Sequence, residues 1–244
     1  MERITIERLA AEGDGEGAGV FVPFALPGEI AQGEVADGRM AAPEIISPSR
    51  FRRAASCSHF GLCGGCNLQH AGDGFLSDWK RDRIAAALAA RGVAGAEIRE
   101  PLTSPPHSRR RAGFAARRTK RTVIAGFHRR AGDDLIAIEA CDVVAPALLG
   151  ALEAVRAAAA LGASRKGAIR AMATLSEGGV DLAVEEAKPL ERAALVEAAA
   201  LATTHDLARL SWNGDVVATR RPPAQRFGAA LVVPPPGAFL QATA

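Results

Sequence analysis

The sequence is poor in aromatic residues: tyrosine is absent and aromatics make up 5% of the 244 residues, although 48% of the residues are hydrophobic. Alanine supplies much of that hydrophobic content, and it fills helices while burying little area per residue. No apolar run approaches the roughly 20 residues that a membrane-spanning helix needs. The composition therefore predicts a globular, cytoplasmic protein with one large domain or a few small ones.

Cysteine is equally scarce, with four residues in the whole chain. Cys57, Cys63 and Cys66 follow the spacing C-x5-C-x2-C, and Cys141 lies far downstream. Three thiolates so close in sequence can meet at one centre only if the backbone wraps around it, and the glycines between them permit that. The pattern predicts a metal centre held by all four cysteines.

Three kinds of cysteine site are compatible with this pattern. Disulfides are disfavoured, because no signal peptide opens the chain and cytosolic thiols stay reduced. A structural zinc ion could be held by the four cysteines, or by three of them with His59 or His70. Zinc sites usually pair two short-spaced ligand doublets, whereas this chain has a triplet and a distant single cysteine. That spacing favours an iron–sulfur cluster.

Residues 1–49 predict a small β-barrel, because short strands alternate with glycine and proline. The strands are expected at 3–9, 19–24, 29–35 and 40–46, and the glycine-rich run 13–19 is expected to be a loop between two of them. Farther along, a helix is expected over 78–91, with Ser77 as its N-cap and Gly92 after its end. Beyond it the pattern predicts a strand at 135–138, helices at 146–161 and 190–202, a hairpin of 168–175 with 180–185, and strands at 206–212, 215–220 and 229–233.

A strongly basic segment follows the predicted helix. Residues 101–132 contain no acidic residue. A solvated strand face usually carries charges of both signs, so a block of one sign favours a polyanion as partner. The segment predicts RNA binding by Arg109, Arg110, Arg111, Arg117, Arg118, Lys120 and Arg121.

The cysteine pattern is followed at once by Asn67-Leu68-Gln69-His70, and the combination resembles the RNA uracil-5 methyltransferase family. The resemblance implies a multi-part α+β fold. Its parts would be an N-terminal OB-like barrel called a TRAM domain at 1–49, a cysteine-rich 4Fe-4S insert at 50–92, a central RNA-binding mixed α/β domain at 93–232, and the start of a methyltransferase domain at 233–244.

Near its end, the chain resembles the entry to that family's methyltransferase domain. Phe239-x-Gln241 follows a proline-bearing strand, and the resemblance implies that Gln241 binds S-adenosylmethionine. A class I methyltransferase also needs a glycine-rich turn for its cofactor, and none follows Gln241. The family's nucleophile is a cysteine, and all four are assigned to the metal. We therefore expect the Rossmann-like methyltransferase domain to be essentially absent and this chain alone to be inactive.

The function implied by the resemblance is S-adenosylmethionine-dependent methylation of uracil C5 in ribosomal or transfer RNA, as a step of RNA modification. Two alternatives come from other classes of protein. One is a non-catalytic RNA-binding module with a structural four-cysteine zinc or iron–sulfur site. The other is a small redox protein, although nothing flavin-like accompanies the cysteines.

Overall fold

The computed structural model of the protein describes residues 1–164 and 167–243. The chain divides into two compact units. Unit 1 contains Met1–Gly61 and Cys66–Thr103, and unit 2 contains Leu62–Gly65 and Ser104–Ala244. In the described part of the chain, no helix has both the length and the apolar character that crossing a bilayer requires.

Unit 1 contains eight short strands and one helix. Strands β1, β5 and β8 form one sheet, and β2, β3, β4, β7 and β6 form a second in that order. The elements are β1 (Glu2–Thr5), β2 (Arg8–Leu9), β3 (Gly15–Gly17), β4 (Val20–Val22), β5 (Ile30–Gly33), β6 (Val35–Ala36), β7 (Arg39–Met40), β8 (Glu44–Ser47) and α1 (Asp73–Ala89). Strands of both sheets supply one apolar core, which includes Ile4, Val22, Ala31 and Met40.

Unit 2 is built on a seven-stranded sheet with the order β11-β10-β9-β12-β13-β14-β15. All neighbours are antiparallel except β13 and β14, which are parallel. Its elements are β9 (Arg111–Arg118), β10 (Val123–His128), β11 (Leu135–Ala137), α2 (Pro146–Gly150), α3 (Leu152–Gly162), β12 (Ala168–Ser176), β13 (Gly179–Glu185), α4 (Arg192–Thr204), β14 (Arg209–Trp212), β15 (Asp215–Thr219) and the hairpin β16 (Gln225–Phe227) with β17 (Ala230–Val232).

The core of unit 2 lies between this sheet and its helices. Phe114, Ile169 and Leu182 point from three neighbouring strands into the same cluster as Val155 of α3 and Ala198 of α4. Because side chains alternate along a strand, the residues between these positions lie on the opposite face of the sheet. That second face carries most of the charged strand residues discussed below.

The fold-class prediction separated a barrel, a cysteine-rich insert and a central domain, and the structure does not follow that division. Leu62–Gly65, in the middle of the cysteine run, belongs to unit 2, whereas the residues on both sides belong to unit 1. The physical reason is backbone pairing: Gly64 donates its N–H to the carbonyl oxygen of His128 at 2.9 Å, and Arg130 donates to Leu62 at 3.1 Å. The cysteine run is therefore not a separate part.

Two local predictions also differ from the structure. Gly15–Gly17, expected to be loop, is strand β3. A Cβ on Gly17 would lie 1.9 Å from the carbonyl oxygen of Thr5, so these glycines allow close backbone approach in a sheet. Helix α1 begins at Asp73, well before the expected start, and its N-cap Gly72 makes no side-chain cap. Arg53 binds the Asp73 carboxylate through two 2.8 Å hydrogen bonds, which holds the first turn in place.

Candidate nucleic-acid interface

The predicted RNA-binding residues lie within strand β9 or immediately beside its two ends. Ala112, Phe114 and Ala116 are buried in the core of unit 2. Alternation therefore places Arg111 and Arg117 together on the opposite face of the sheet. At about 3.3 Å per residue, six residues separate the two arginines by about 20 Å. The basic residues thus form two separate clusters, one at each end of β9.

The first cluster, at the start of β9, lies against the C-terminal segment. Arg110 donates its backbone N–H to the carbonyl oxygen of Ala242 at 2.7 Å and its Nε to that of Gln241 at 3.2 Å. The Arg111 guanidinium lies 5.8 Å from the centre of the Phe239 ring and 3.4 Å from the carbonyl oxygen of Gly237. The structure therefore brings two predicted RNA-binding arginines next to the predicted cofactor residue Gln241.

A cavity of about 460 Å³ adjoins this first cluster. Its lining includes Arg111, Gly113, His128, Arg170 and Gly237. Arg170 is exposed and lies on β12 directly opposite Ala115 of β9, so it shares the arginine-bearing face. Arg170 could not be recognised from the sequence, because an isolated arginine in an alternating strand is ordinary until its neighbours in the sheet are known.

The second cluster, at the end of β9, lines a larger cavity of about 780 Å³. Its lining includes Arg117, Arg118 and Lys120 from the predicted basic segment. Lys188, which follows β13 in the chain, also lines it. Arg121 is exposed in the turn between β9 and β10. Arg109, by contrast, is held through its backbone, accepting from Ala145 at 2.9 Å and donating to Val143 at 3.0 Å.

The four cysteines are all half-buried. Cys63 pairs with Arg129 as an isolated antiparallel bridge, and Cys63 and Cys141 both pack against the core of unit 2. The Gly65 N–H donates to Cys63 Sγ at 3.4 Å, a contact that stabilises a thiolate. Cys57 and Cys66 belong to unit 1.

Cys57 has its own polar surroundings in unit 1. Its N–H donates to Gln69 Oε1 at 3.3 Å, and its Sγ lies 4.0 Å from His59 Nδ1. Among residues 1–164 and 167–243, no group of three or more histidine, cysteine, aspartate and glutamate residues is arranged to hold a metal ion. The iron–sulfur assignment, and the zinc alternative with His59, thus stay predictions that rest on donor chemistry and spacing.

His70, the other histidine considered as a zinc ligand, is 2% exposed. Its ring lies against the rings of Phe24 and Phe60, and within the described residues neither ring nitrogen has a hydrogen-bond partner. Burial, assisted by the nearby positive charge of Arg52, lowers the pKa of His70 to about 4. His70 is therefore neutral at physiological pH.

The Arg52 charge is itself compensated by Glu29. The Glu29 carboxylate is fully buried and accepts hydrogen bonds from the Arg52 guanidinium and from the backbone N–H groups of Leu26 and Ser49. Burial raises the pKa of Glu29, but these hydrogen bonds outweigh it and leave the pKa below its usual value. The Glu29–Arg52 ion pair thus lies near His70 within unit 1.

The chain is similar in sequence to proteins that are described as RNA methyltransferases. No family model matches the chain. Relatives described as uncharacterized RNA methyltransferases align with 99% of it: one from Brucella suis is 37% identical and one from Caulobacter vibrioides 35%. The Pseudomonas fluorescens 23S rRNA (uracil(1939)-C(5))-methyltransferase RlmD is 38% identical over 59% of the chain and 34% of its own length.

The fold of the chain is also that of a solved methyltransferase. A crystal structure of Pyrococcus abyssi tRNA (uracil-54, C5)-methyltransferase in complex with S-adenosyl-L-homocysteine superposes with a TM-score of 0.70 and 18% identity. The match covers 99% of this chain and 61% of that protein. The chain likewise spans 59% of the Brucella suis relative and 61% of the Caulobacter vibrioides one.

These matches contradict the prediction that the class I methyltransferase domain is essentially absent. Nearly the whole chain superposes on a methyltransferase and aligns with RNA methyltransferases. The prediction was wrong because it depended on local signals, namely a glycine-rich turn expected after Gln241 and a cysteine nucleophile not assigned to the metal. A fold is specified by packing along the whole chain, which such local motifs do not test.

Proposed function

We propose that this chain acts in the S-adenosylmethionine-dependent methylation of uracil C5 in RNA, with unit 2 contacting the RNA. One observation carries the proposal. Arg110, in the acid-free basic segment, is hydrogen-bonded to the backbone of Gln241 and Ala242, so the residues suited to a polyanion adjoin the residue suited to the cofactor. Relatives that are RNA methyltransferases support it.

The substrate in this proposal is ribosomal or transfer RNA. The two relatives with a named activity act on 23S rRNA and on tRNA, and both are uracil-C5 methyltransferases by name. Arg111 and Arg117, about 20 Å apart on one strand, would contact phosphates several nucleotides apart. Residues 1–49 would serve as a TRAM domain that binds the same RNA, because their two small sheets share one core as OB-like folds do.

The proposal includes a 4Fe-4S cluster on Cys57, Cys63, Cys66 and Cys141. Four half-buried cysteines, two of them packed on one core and one accepting an N–H, supply the sulfur ligands that such a cluster requires. When bound, the cluster would supply structural cross-linking or one-electron chemistry. The chain's own residues would hold the thiolates and donate hydrogen bonds to their sulfur atoms.

The competing function is a non-catalytic RNA-binding module with a structural zinc or iron–sulfur site. The 4.0 Å approach of His59 Nδ1 to Cys57 Sγ is the observation that favours zinc. Such a module would bind RNA through the same arginines but would not transfer a methyl group. The two functions therefore differ in one measurable reaction.

The test uses the protein expressed from its own gene and purified without oxygen. It is incubated with unmodified RNA and methyl-labelled S-adenosylmethionine, and the RNA is digested to nucleosides. We expect label in 5-methyluridine. Label in another nucleoside would refute uracil-C5 specificity, and RNA binding without any label would favour the non-catalytic module.

A further inference from the structure

The larger basic cavity lies at one edge of the unit 2 sheet, where several elements end together. Strands β9 and β13 both run antiparallel to β12, so their carboxyl ends meet at the same edge. The cavity, of about 780 Å³, is lined by Arg117, Arg118, Thr119, Lys120, Ala163 and Lys188. Its volume lies within the roughly 300–1,000 Å³ of small-molecule sites.

The backbone of Lys188 is fixed at this edge. Its N–H donates to the carbonyl oxygen of Gly162 at 2.9 Å, and its carbonyl oxygen accepts from Trp212 Nε1 at 2.8 Å. A Cβ on Gly162 would lie 2.1 Å from the Trp212 ring, so glycine is needed for α3 to end this close to the indole. Lys188 itself is exposed, and a rigid backbone therefore presents a mobile ammonium group to the cavity.

Positive charge predominates among the described residues that line the cavity. Four of these six residues are cationic and none of the six is acidic. The Arg118 guanidinium donates one hydrogen bond to the carbonyl oxygen of Ala160, near the end of α3, at 3.4 Å. The Arg117 Nε is buried and, among the described residues, has no hydrogen-bond partner. A buried donor without an acceptor is costly, so an acceptor that reached this nitrogen would stabilise the end of β9.

We propose that this cavity binds backbone phosphates of the RNA, and that Lys188 is a phosphate-contacting residue. The inference rests on the proposed function and adds the cavity and Lys188 to the phosphate contact assigned to Arg117, about 20 Å along β9 from the region beside Gln241. Phosphate contacts by lysine and arginine position a nucleic acid without reading its sequence. Lys188 should therefore support the binding of RNAs of different sequence equally.

The experiment measures binding of a single-stranded RNA oligonucleotide to the whole protein at several salt concentrations, for wild type, Lys188→Gln and Arg226→Gln. Arg226 is a matched control: it is an exposed cation of unit 2 paired with Glu177, which precedes β13, whereas Lys188 follows that strand. Both variants remove one charge. Lys188→Arg tests whether the charge alone is sufficient.

Loss of one phosphate contact should reduce the log–log salt slope by about 0.7 on single strands. We expect that reduction, with several-fold weaker binding at low salt, for Lys188→Gln but not for Arg226→Gln, and near-normal binding for Lys188→Arg. If Lys188→Gln and Arg226→Gln change RNA binding equally, the cavity is not a phosphate-binding site, and the proposed function is unaffected. A wild type that binds no RNA would refute the proposed function as well.

Competition with inorganic pyrophosphate tests whether the cavity binds a phosphate of RNA or a free phosphate. If the cavity serves RNA, pyrophosphate should compete with the oligonucleotide only weakly. If Lys188→Gln weakens pyrophosphate binding and leaves RNA binding unchanged, the cavity takes a small free anion, and the assignment to RNA is wrong.

Discussion

Arg209 and Asp181 lie opposite each other on the parallel strands β14 and β13, and the guanidinium donates two hydrogen bonds to the carboxylate, 2.9 Å from Nε and 2.7 Å from Nη2. Nη2 also donates to the carbonyl oxygen of Pro234 at 2.9 Å. Both residues are buried. This ion pair therefore connects the sheet of unit 2 to the start of the segment that carries Phe239 and Gln241.

Replacing Asp181 by Asn should destabilise unit 2 by roughly 3–5 kcal/mol, because it leaves the Arg209 charge buried without its counter-charge. Urea denaturation followed by tryptophan fluorescence measures this, since Trp212 follows Arg209 in β14. Arg226→Gln, which breaks the exposed pair with Glu177, should cost about 0–1 kcal/mol. If both variants cost the same, the buried pair has no special role. The double variant Asp181→Leu with Arg209→Met should recover much of the loss.

The stability of unit 1 should fall as the pH is lowered from about 6.5 to 4.5. In the folded state His70 has a pKa of about 4, whereas in the unfolded chain its pKa has the usual value of 6.5, so protonation favours unfolding throughout this window. At about 1.4 kcal/mol per pKa unit, the loss is on the order of 2–3 kcal/mol. The pKa of Glu29 lies below 4.5, so protonation of Glu29 reduces the stability further only at pH values below this window.

His70→Phe should remove most of that pH dependence, because the ring keeps its place between Phe24 and Phe60 but has no proton to gain. Urea midpoints at pH 7 and pH 4.5 give the comparison. His205→Gln, in unit 2, should retain the wild-type dependence. A His70→Phe protein that still loses stability over this window would show that another group takes up the proton.

Reversing Arg109, Arg110 and Arg111 to glutamate should weaken RNA binding and flatten its salt dependence. The slope should change by up to about 2, at roughly 0.7 for each phosphate contact on a single strand. Fluorescence anisotropy at several salt concentrations measures it, and circular dichroism confirms that the variant is folded. Arg99→Glu, at an exposed arginine of unit 1, is the control. A folded triple variant with unchanged affinity and slope would mean that this end of β9 is only a solvated face.

Protein purified without oxygen should be brown and contain iron and sulfide. Cys141→Ser should lose the cluster as fully as Cys63→Ser, because each change removes one of four thiolate ligands. Ser58→Ala, beside a ligand but without a thiol, is the control and should keep the colour. Colourless protein with one zinc ion per chain would contradict the cluster. Metal content that is unchanged in Cys141→Ser would favour zinc with a histidine ligand.

The sequence was a good guide wherever local periodicity and packing agree. The alternation in 168–175 and 180–185 predicted a hairpin, and β12 and β13 pair antiparallel through Ser176 and Gly179. The predicted helix at 190–202 matches α4 to within two residues at each end. Alternation works here because one face of the sheet packs against helices, so the apolar period reports burial directly.

It was a poor guide where the deciding contact is distant in the chain. Gly15–Gly17 forms a strand because it pairs with β2 and β4, and the run itself does not show these neighbours. Lys188 joins Arg117 only because β9 and β13 end at the same edge of the sheet. Ser77 has the chemistry of an N-cap, but the Arg53–Asp73 pair starts the helix earlier.

The membership of Leu62–Gly65 in unit 2 constrains the order in which the protein can mature during translation. Domains fold as units as they leave the ribosome, the amino-terminal one first. Cys63 is positioned by His128 and Arg129, so the cysteine run cannot reach its final arrangement while those residues are still inside the ribosome. In the proposed cluster, Cys63 would therefore reach its final position only after these residues have left the ribosome, and the set of ligands would be incomplete until then.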